Sequence, residues 1–213
     1  MARESEMTST ASSPAAAIRS ARPRSFVHVE ALPGTDVARR KAVSRAVVAG
    51  ELVKVRHALY YRGAKTRYGM TRPSAVEVAL EALGRKGVGP AGFSAAREWS
   101  LTTQVPPAVH LAALRPAKDL PGVRLTVRAN LNRVDLSFQE IALVEMLRDP
   151  EVYVEAGWPA LVEAVAVAES ARGVRMGKVL AVVASERDAS TRANAARLRV
   201  DLDARIGARA GTA

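Results

Sequence analysis

Between Thr35 and Gly63 the sequence changes from a helical pattern to a strand pattern at one glycine, Gly50. The helical part, TDVARRKAVSRAVVAG, begins with a threonine suited to an N-cap and places Asp36 where the helix dipole favours an anion. The following ELVKVRHALYYRG has the β-favouring residues of two short strands that meet near His57. A helix followed at once by a hairpin is the order of a winged helix-turn-helix.

The predicted helix has a packing face and a basic face. At about 100° per residue, apolar side chains fall on one arc and cationic or polar side chains fall on the other. The packing arc holds Ala42, Val43, Ala46 and Val47. The other arc holds Arg40, Lys41, Ser44 and Arg45, with Val37 and Val48 among them. The alternative is an amphipathic helix whose basic face is simply solvated.

The residues before this helix predict the first elements of the same domain. Pro14 to Arg22 can form a short helix capped by Ser13, because proline is favoured in the first turn and Pro23 ends the run. Arg24 to His28 favours a strand, and Val29 to Leu32 favours one helical turn. Residues 1–13 are small and polar, which predicts a disordered leader in a cytoplasmic protein.

The net charge of +11 is concentrated at one end of the sequence. Residues 1–75 contain 14 Lys and Arg against 5 Asp and Glu, whereas residues 76–213 contain 18 against 16. Cations grouped in one segment favour a polyanion, because they release its condensed counterions on binding. A general bias towards arginine is the alternative, but it would not spare the rest of the chain.

These observations predict an interface with double-stranded operator DNA, with a homodimer on DNA as one further expectation. We expect Arg40 or Arg45 to contact a base and the other side chains mainly to anchor the phosphates. The candidate DNA-binding residues are Arg39, Arg40, Lys41, Ser44, Arg45, Lys54, Arg56 and His57.

The predicted organisation is a winged helix-turn-helix at 14–63, a polar basic linker at 64–73 and a second domain at 74–213. The fold class is therefore α+β, with a mixed α/β second domain that is mainly helical at its end. A capping box is expected at Ser137 and Glu140, before a helix that ends at Pro150. Other helices are expected over 75–87, 93–101, 159–171, 174–185 and 190–206, an extended run over 102–111 and a strand over 120–128.

The sequence offers no catalytic motif. It has no cysteine, and its three histidines are not spaced to share a helical face, so no metal and no cofactor are expected. The stretch GVGPAG, 87–92, matches the spacing GxGxxG, but it follows a predicted helix and contains Pro90. No GxSxG, HExxH or P-loop lysine occurs, so an enzyme is not expected. No apolar run is long enough to cross a bilayer, which predicts no membrane partner.

The sequence resembles the AbiEi family of antitoxins from AbiE-type toxin–antitoxin operons. The resemblance covers about 26–150 and continues loosely to the end. It depends on three segments in order: AVSRAVVAGELVKVRHALYYRG at 42–63, REWSLTTQVP at 97–106, and IALVEMLRDPEVYVEAGW at 141–158. The family usually has a glycine before the hairpin Leu-Tyr, where this sequence has His57-Ala58.

The resemblance implies an antitoxin that represses its own operon through the winged helix and neutralises a nucleotidyltransferase toxin that acts on tRNA. Family members differ on whether antitoxin and toxin touch. The resemblance carries over no catalytic residue, because the nucleotidyltransferase motifs belong to the toxin. The alternative is a stand-alone winged-helix regulator whose second domain senses a ligand or dimerises. An RNA-binding structural protein also fits the charge, but aromatic residues make up only 4% of the chain, which leaves few stacking platforms.

Overall fold

The computed structural model describes residues 13–210 and has a mixed α+β fold that is about half helical, with small sheets. The chain divides into two compact units, Met1–Ser74 and Ala75–Ala213. The predicted leader, apart from Ser13, lies outside the described residues. The first unit contains α1 (Pro14–Ser20), β1 (Ser25–His28), a 3-10 turn (Val29–Ala31), α2 (Asp36–Val48), β2 (Val53–Arg56), β3 (Leu59–Arg62), β4 (Lys65–Thr66) and β5 (Gly69–Met70).

Local capping explains where the first helices begin. Ser13 Oγ accepts a hydrogen bond from the N–H of Ala16 (3.2 Å), and Thr35 Oγ1 accepts one from the N–H of Ala38 (3.3 Å). Each bond satisfies a backbone donor that has no partner within the helix. Both caps were predicted from the sequence and are confirmed.

The strands of the first unit form an antiparallel sheet in the order β1, β3, β2. Phe26 pairs with Tyr61, and their rings meet edge to face with centroids 5.2 Å apart. The core beneath this sheet contains Ile18, Val27, Leu32, Val43, Ala46 and Leu52. The sequence prediction for Val47 is wrong: its side chain is 37% exposed because it lies beyond the edge of the packed arc.

Arg62, at the end of β3, joins the sheet to the first helix. Its Nη1 donates to the carbonyl oxygens of Ile18 (3.1 Å), Arg19 and Ala21 at the C-terminal end of α1. Carbonyls at the end of a helix lack the amide donors of a next turn, and the helix dipole favours a cation there; the Ile18 carbonyl also accepts from the N–H of Ala21 (3.3 Å). Arg62 therefore serves the fold and does not belong to a free basic surface.

The segment predicted as a linker contains a second hairpin, Lys65–Met70, formed by β4 and β5. Its strands have two residues each. Strands this short have no readable alternation of polar and apolar residues, which is why the sequence predicted only a polar connection.

The second unit contains more helix. Its elements are α3 (Ala75–Leu83), β6 (Gly89–Pro90), α4 (Phe93–Glu98), β7 (Val109–Ala113), β8 (Val123–Val127), a 3-10 turn (Leu131–Asp135), α5 (Phe138–Met146), α6 (Pro150–Tyr153), α7 (Gly157–Ser170), α8 (Met176–Ala184) and α9 (Ala189–Ala210). The helices and strands predicted here are present, with ends displaced by a few residues. The predicted extended run is a strand only from Val109.

The small sheet of this unit has the order β6, β7, β8, with β7 and β8 parallel. The glycines of GVGPAG serve its packing. A Cβ on Gly89 would lie 2.6 Å from Ile141 Cβ, and one on Gly87 would lie 2.3 Å from Leu114 Cδ1. Here glycine allows close approach of the backbone to its neighbours, as expected for a strand against a helix.

The capping box predicted at the start of α5 is confirmed. Ser137 Oγ accepts from the N–H of Glu140 (3.1 Å), and Glu140 Oε2 accepts from the N–H of Ser137 (2.7 Å). Burial raises the pKa of Glu140, but hydrogen bonds from Arg175 and the Ser137 backbone outweigh it and lower the pKa to about 2. Helix α5 is buried from Glu140 to its last residue, Met146, which makes it the centre of the second unit.

Both tryptophans of the chain lie in the second unit. Trp99 is 7% exposed, and its Nε1 donates to the carbonyl oxygen of Gln139 (3.1 Å). Trp158 donates through Nε1 to Asp201 Oδ2 (2.7 Å), and the guanidinium of Arg197 lies 4.1 Å from its ring centroid. Trp158 thereby links α7 to α9.

Candidate nucleic-acid interface

Helix α2 presents a regular outward face. Val43 and Ala46 are buried, so the opposite side of the helix points to solvent. Val37, Lys41, Ser44 and Val48 follow one another there at spacings of four, three and four residues, and all are exposed. Val37 is 77% and Val48 88% exposed. These four residues, with Arg40 and Arg45 on either side, form the outer face of α2.

The cations of the outer face have no carboxylate partner among the residues that the structure describes. Arg40, Lys41 and Arg45 are exposed and form no ion pair with any residue in 13–210. Arg39, also predicted to bind DNA, lies differently. It is half-buried, and its Nη1 is 3.3 Å from Asp36 Oδ1. The structure therefore places three of the predicted cations on the exposed face of α2. The fourth, Arg39, lies outside that face and is paired with Asp36.

The hairpin β2–β3 carries the remaining predicted residues. Lys54 and His57 are exposed, whereas Arg56 is half-buried. The pairing of β2 with β3 is irregular between Lys54 and Arg56, where the bulge re-aims the strand. Lys54 and His57 are therefore the accessible cationic or polar groups of this hairpin.

The turn of this hairpin contains a strained alanine. Ala58 has a φ of +56°, in the left-handed region. An L-residue in this conformation costs about 1–2 kcal/mol, which glycine avoids. Glycine in turn loses about 0.5–1 kcal/mol more backbone entropy on folding than alanine does. We expect Ala58→Gly to raise the free energy of unfolding of the first unit by about 0.5 kcal/mol in urea unfolding followed by circular dichroism.

Ala49→Gly is the matched control, since Ala49 is exposed at the C-cap of α2 with a φ of −73°. Glycine gains nothing in that conformation, so the control should lose about 0.5–1 kcal/mol. A loss of stability in Ala58→Gly would contradict the left-handed turn.

The charge around these elements is one-sided. No Asp or Glu occurs between Glu51 and Glu77, although that stretch contains six Lys and Arg. Asp36, the first residue of α2, already forms an ion pair with Arg39. The positive potential of the hairpins is consequently not compensated by neighbouring carboxylates in the sequence, which favours a polyanionic partner.

The second unit holds a buried ionic cluster that the sequence did not predict. Arg133, 1% exposed, donates to Glu145 Oε1 (2.6 Å) and to Glu186 Oε1 (2.7 Å). Arg128 adds two hydrogen bonds to Glu145, of 3.0 and 2.7 Å. The members come from the residue directly after β8 (Arg128), a 3-10 turn (Arg133), α5 (Glu145) and the α8–α9 connection (Glu186). The available signal was Glu145, a carboxylate within the otherwise apolar run Ile141–Leu147 of the predicted helix.

Electrostatics indicate that this cluster is structural. Burial raises the pKa of Glu145, but a hydrogen bond from Arg128 and the charge of Arg133 outweigh it and hold the pKa below its ordinary value. The pKa of Glu186 is lowered in the same way, chiefly by Arg133 against the effect of burial. Carboxylates that are this weakly basic and already hydrogen-bonded are poor general bases near neutral pH.

A cavity of about 430 Å³ borders the cluster and is lined in part by Asn130, Arg148, Glu186 and Asp188. Asn130 donates to Glu186 Oε1 (2.8 Å), and Arg148 lies 3.5 Å from Glu186 Oε2. Among residues 13–210 no group of three or more His, Asp or Glu is arranged to hold a metal ion. Within the same range no helix is both long and apolar enough to span a bilayer.

Comparison with known proteins gives a likeness of fold. No family model matches the sequence, and no curated protein matches it. The chain is similar in structure to the RV2827C protein from Mycobacterium tuberculosis, known from a crystal structure, with a TM-score of 0.50 and 14% sequence identity. The match covers 89% of this chain and 75% of that one. At this identity the likeness bears on the fold alone.

Proposed function

We propose that the first unit is a winged-helix DNA-binding domain in which α2 enters the major groove and the hairpin β2–β3 is the wing. The observation that carries the proposal is the outer face of α2, where Arg40, Lys41 and Arg45 are exposed and have no carboxylate partner in the part of the chain that the structure describes. An α-helix fits the major groove, and its exposed arginines can each bond a guanine edge or a phosphate. Supporting this, the order helix, strand, turn, helix, hairpin with the sheet order β1, β3, β2 agrees with such a domain.

The exposed valines suit the same role. Val37 and Val48 lie in line with Lys41 and Ser44 on the outer face of α2. An apolar side chain in the major groove can contact the methyl group of thymine. The outer face thus offers both cationic and apolar groups to base edges.

The test of DNA binding is the double variant Arg40→Ala/Arg45→Ala. The probe is a duplex from upstream of the protein's own coding sequence, titrated with full-length protein by fluorescence anisotropy over a range of salt concentrations. We expect binding to weaken at least about tenfold, because a good bidentate base contact is worth about 1–3 kcal/mol. The log–log salt slope should flatten by about 0.9 for each phosphate contact that is lost.

Arg85→Ala/Lys86→Ala is the matched control. Both residues are exposed in the second unit, and their loss changes the net charge equally. The control should bind like the wild type. Unchanged affinity of the α2 variant, or equal losses in both variants, would remove the assignment of α2 as the reading helix.

We further propose that the protein is an AbiEi-type antitoxin and autorepressor, on the basis of the sequence resemblance. Two of the segments that carry the resemblance contact each other in the second unit. Glu155 accepts from the Thr102 hydroxyl (2.8 Å) and the Thr103 N–H (2.9 Å), and its own N–H donates to the Leu101 carbonyl (3.0 Å). These bonds hold the pKa of the Glu155 carboxyl below its ordinary value. These two of the three resembling segments therefore form one connected region.

Co-expression tests this role. We expect the full-length protein to restore growth to cells that express a nucleotidyltransferase encoded in the adjacent reading frame. The Arg40→Ala/Arg45→Ala variant should also restore growth while failing to repress a reporter behind the upstream DNA, because the two activities belong to different units. Failure of the wild type to relieve that toxin would end the antitoxin proposal and leave DNA binding standing.

The second candidate is a stand-alone regulator whose second unit senses a small molecule. It is favoured by a mainly apolar cavity of about 410 Å³ lined in part by Val105, Leu111 and Phe138, with Glu98 among its polar residues. Burial raises the pKa of Glu98. Repression without toxin relief would favour this candidate.

A further inference from the structure

The tip of the second hairpin, Lys65–Met70, is a defined turn. The antiparallel pairing of β4 with β5 leaves Arg67 and Tyr68 alone at the tip. Thr66 Oγ1 accepts from the N–H of Tyr68 (3.2 Å) and donates to the carbonyl of Gly69 (2.8 Å). Gly69 has a φ of +109°, which favours glycine. These features fix the backbone that presents the two tip side chains.

Those side chains are presented to solvent. Tyr68 is 84% exposed, and Arg67 is exposed as well. The guanidinium of Arg67 lies 4.6 Å from the Tyr68 ring centroid. A cation–π contact of this kind restricts where the guanidinium points. Core packing does not account for a tyrosine so exposed, whereas binding a partner would.

The base of the second hairpin is firmly held. The N–H of Ala64 donates to Thr71 Oγ1 (2.9 Å), and the N–H of Thr71 donates to the Ala64 carbonyl (3.0 Å). A Cβ on Gly63 would lie 2.1 Å from the Thr71 carbonyl oxygen, so this close approach needs glycine. The preceding residue is Arg62, which is bonded to the end of α1. The tip therefore extends from an anchored strand.

The second hairpin also lies close to the end of α2. Its residues Lys65 and Met70 line the same cavity, of about 540 Å³, as Glu51, which follows α2. Its own sequence, with the flanking Arg72, carries three cations and no carboxylate. A duplex bound along α2 would meet cationic groups on this side too.

We propose that the second hairpin is a further DNA-contacting element, which places Arg67 in the minor groove beside the segment contacted by α2. The inference depends on the proposed DNA binding. A minor groove about 6 Å wide admits a two-residue tip but no helix. Where A·T pairs narrow that groove, its negative potential attracts an arginine in particular. Tyr68 supports the guanidinium and packs against the sugars at the groove edge.

The test uses full-length protein and the duplex it recovers from a random pool. A·T pairs in the flank are replaced either by G·C or by inosine·cytosine, which lacks the guanine 2-amino group and presents the minor groove of A·T. We expect the wild type to bind the G·C flank about tenfold more weakly and the inosine flank unchanged. Arg67→Ala should bind all three duplexes equally, at the weaker level.

Arg85→Ala, with the same loss of charge in the second unit, should keep the wild-type preference. Arg67→Ala must also keep the wild-type melting curve, as expected for a tip that is exposed.

Wild-type affinity of Arg67→Ala on the A·T flank, while Arg40→Ala/Arg45→Ala loses binding, would overturn the inference and leave the proposed function intact. An equal loss on all three duplexes with a flatter salt slope would overturn the minor-groove contact in favour of a phosphate contact. Recovery of no duplex by the wild type would instead reject DNA binding itself.

Discussion

Arg133→Met lowers the free energy of unfolding of the second unit by about 3–5 kcal/mol, because it leaves two buried carboxylates without their shared cation. Glu145 and Glu186 are 1% and 6% exposed, and both accept hydrogen bonds from Arg133. Methionine fills much of the space of the arginine stem, so the loss is mainly electrostatic. Urea unfolding, followed by tryptophan fluorescence, gives the difference.

Arg199→Met is the matched control for this substitution. Arg199 pairs with Asp203 one turn along α9, and their side chains are 47% and 51% exposed. An exposed pair of this kind contributes about 0.3–0.5 kcal/mol. Similar losses in the two variants would contradict the description of Arg133 as the centre of a buried cluster. In Arg133→Met, Glu145 keeps its two hydrogen bonds from Arg128, and Glu186 keeps Arg148 at 3.5 Å, so the loss should stay within about 3–5 kcal/mol and not exceed it.

Gly89→Ala is expected to cost about 3 kcal/mol or more, because the new methyl group has no space. Its Cβ would lie 2.6 Å from Ile141 Cβ and 2.9 Å from the carbonyl oxygen of Phe138, a backbone atom that cannot rotate away. Ile141 belongs to the buried helix α5, so either α5 or β6 must shift. Thermal unfolding of the purified variant measures the loss.

Gly177→Ala provides the comparison. Gly177 lies in α8, and a Cβ there would meet nothing within 4 Å. Alanine favours the helix by up to about 1 kcal/mol, so this variant should be equal to or more stable than the wild type. If Gly89→Ala were as stable as the wild type, close packing against α5 would not require glycine at this position of GVGPAG.

The sequence predicted those elements that are determined by interactions between residues close together in the chain. The caps at Thr35 and Ser137 act over three residues, and helix and hairpin patterns can be counted along the chain, so α2, β2–β3 and α5 were all foreseen. Exposed cations on α2 followed from helical geometry in the same way. The position of Arg39 follows from the same geometry, since it precedes the buried Val43 and Ala46 by four and seven residues, but its ion pair with Asp36 was not predicted.

Features that depend on distant residues could not be predicted. The ionic cluster joins Arg133 to Glu186, 53 positions away, and nothing in either neighbourhood specifies the other. The second hairpin has strands too short for a periodic signal. Arg62 contributes to the positive charge of residues 1–75, yet three backbone carbonyls at the C-terminal end of α1 occupy it. A basic residue in a basic segment is therefore not automatically a ligand for phosphate.

The placement of Trp99 and Trp158 has a practical consequence for spectroscopy. Because both indoles lie in the second unit, the intrinsic tryptophan emission reports only that unit, while the first unit contributes through Tyr60, Tyr61 and Tyr68. Excitation at the red edge of the tryptophan absorption band, where tyrosine does not absorb, therefore gives fluorescence from the second unit alone. Tyr153 is the one tyrosine of the second unit, so Tyr153→Phe leaves tyrosine emission to the first unit. DNA that quenches or shifts tyrosine emission of this variant while its indole spectrum stays constant would identify which half of the chain it touches, without any label.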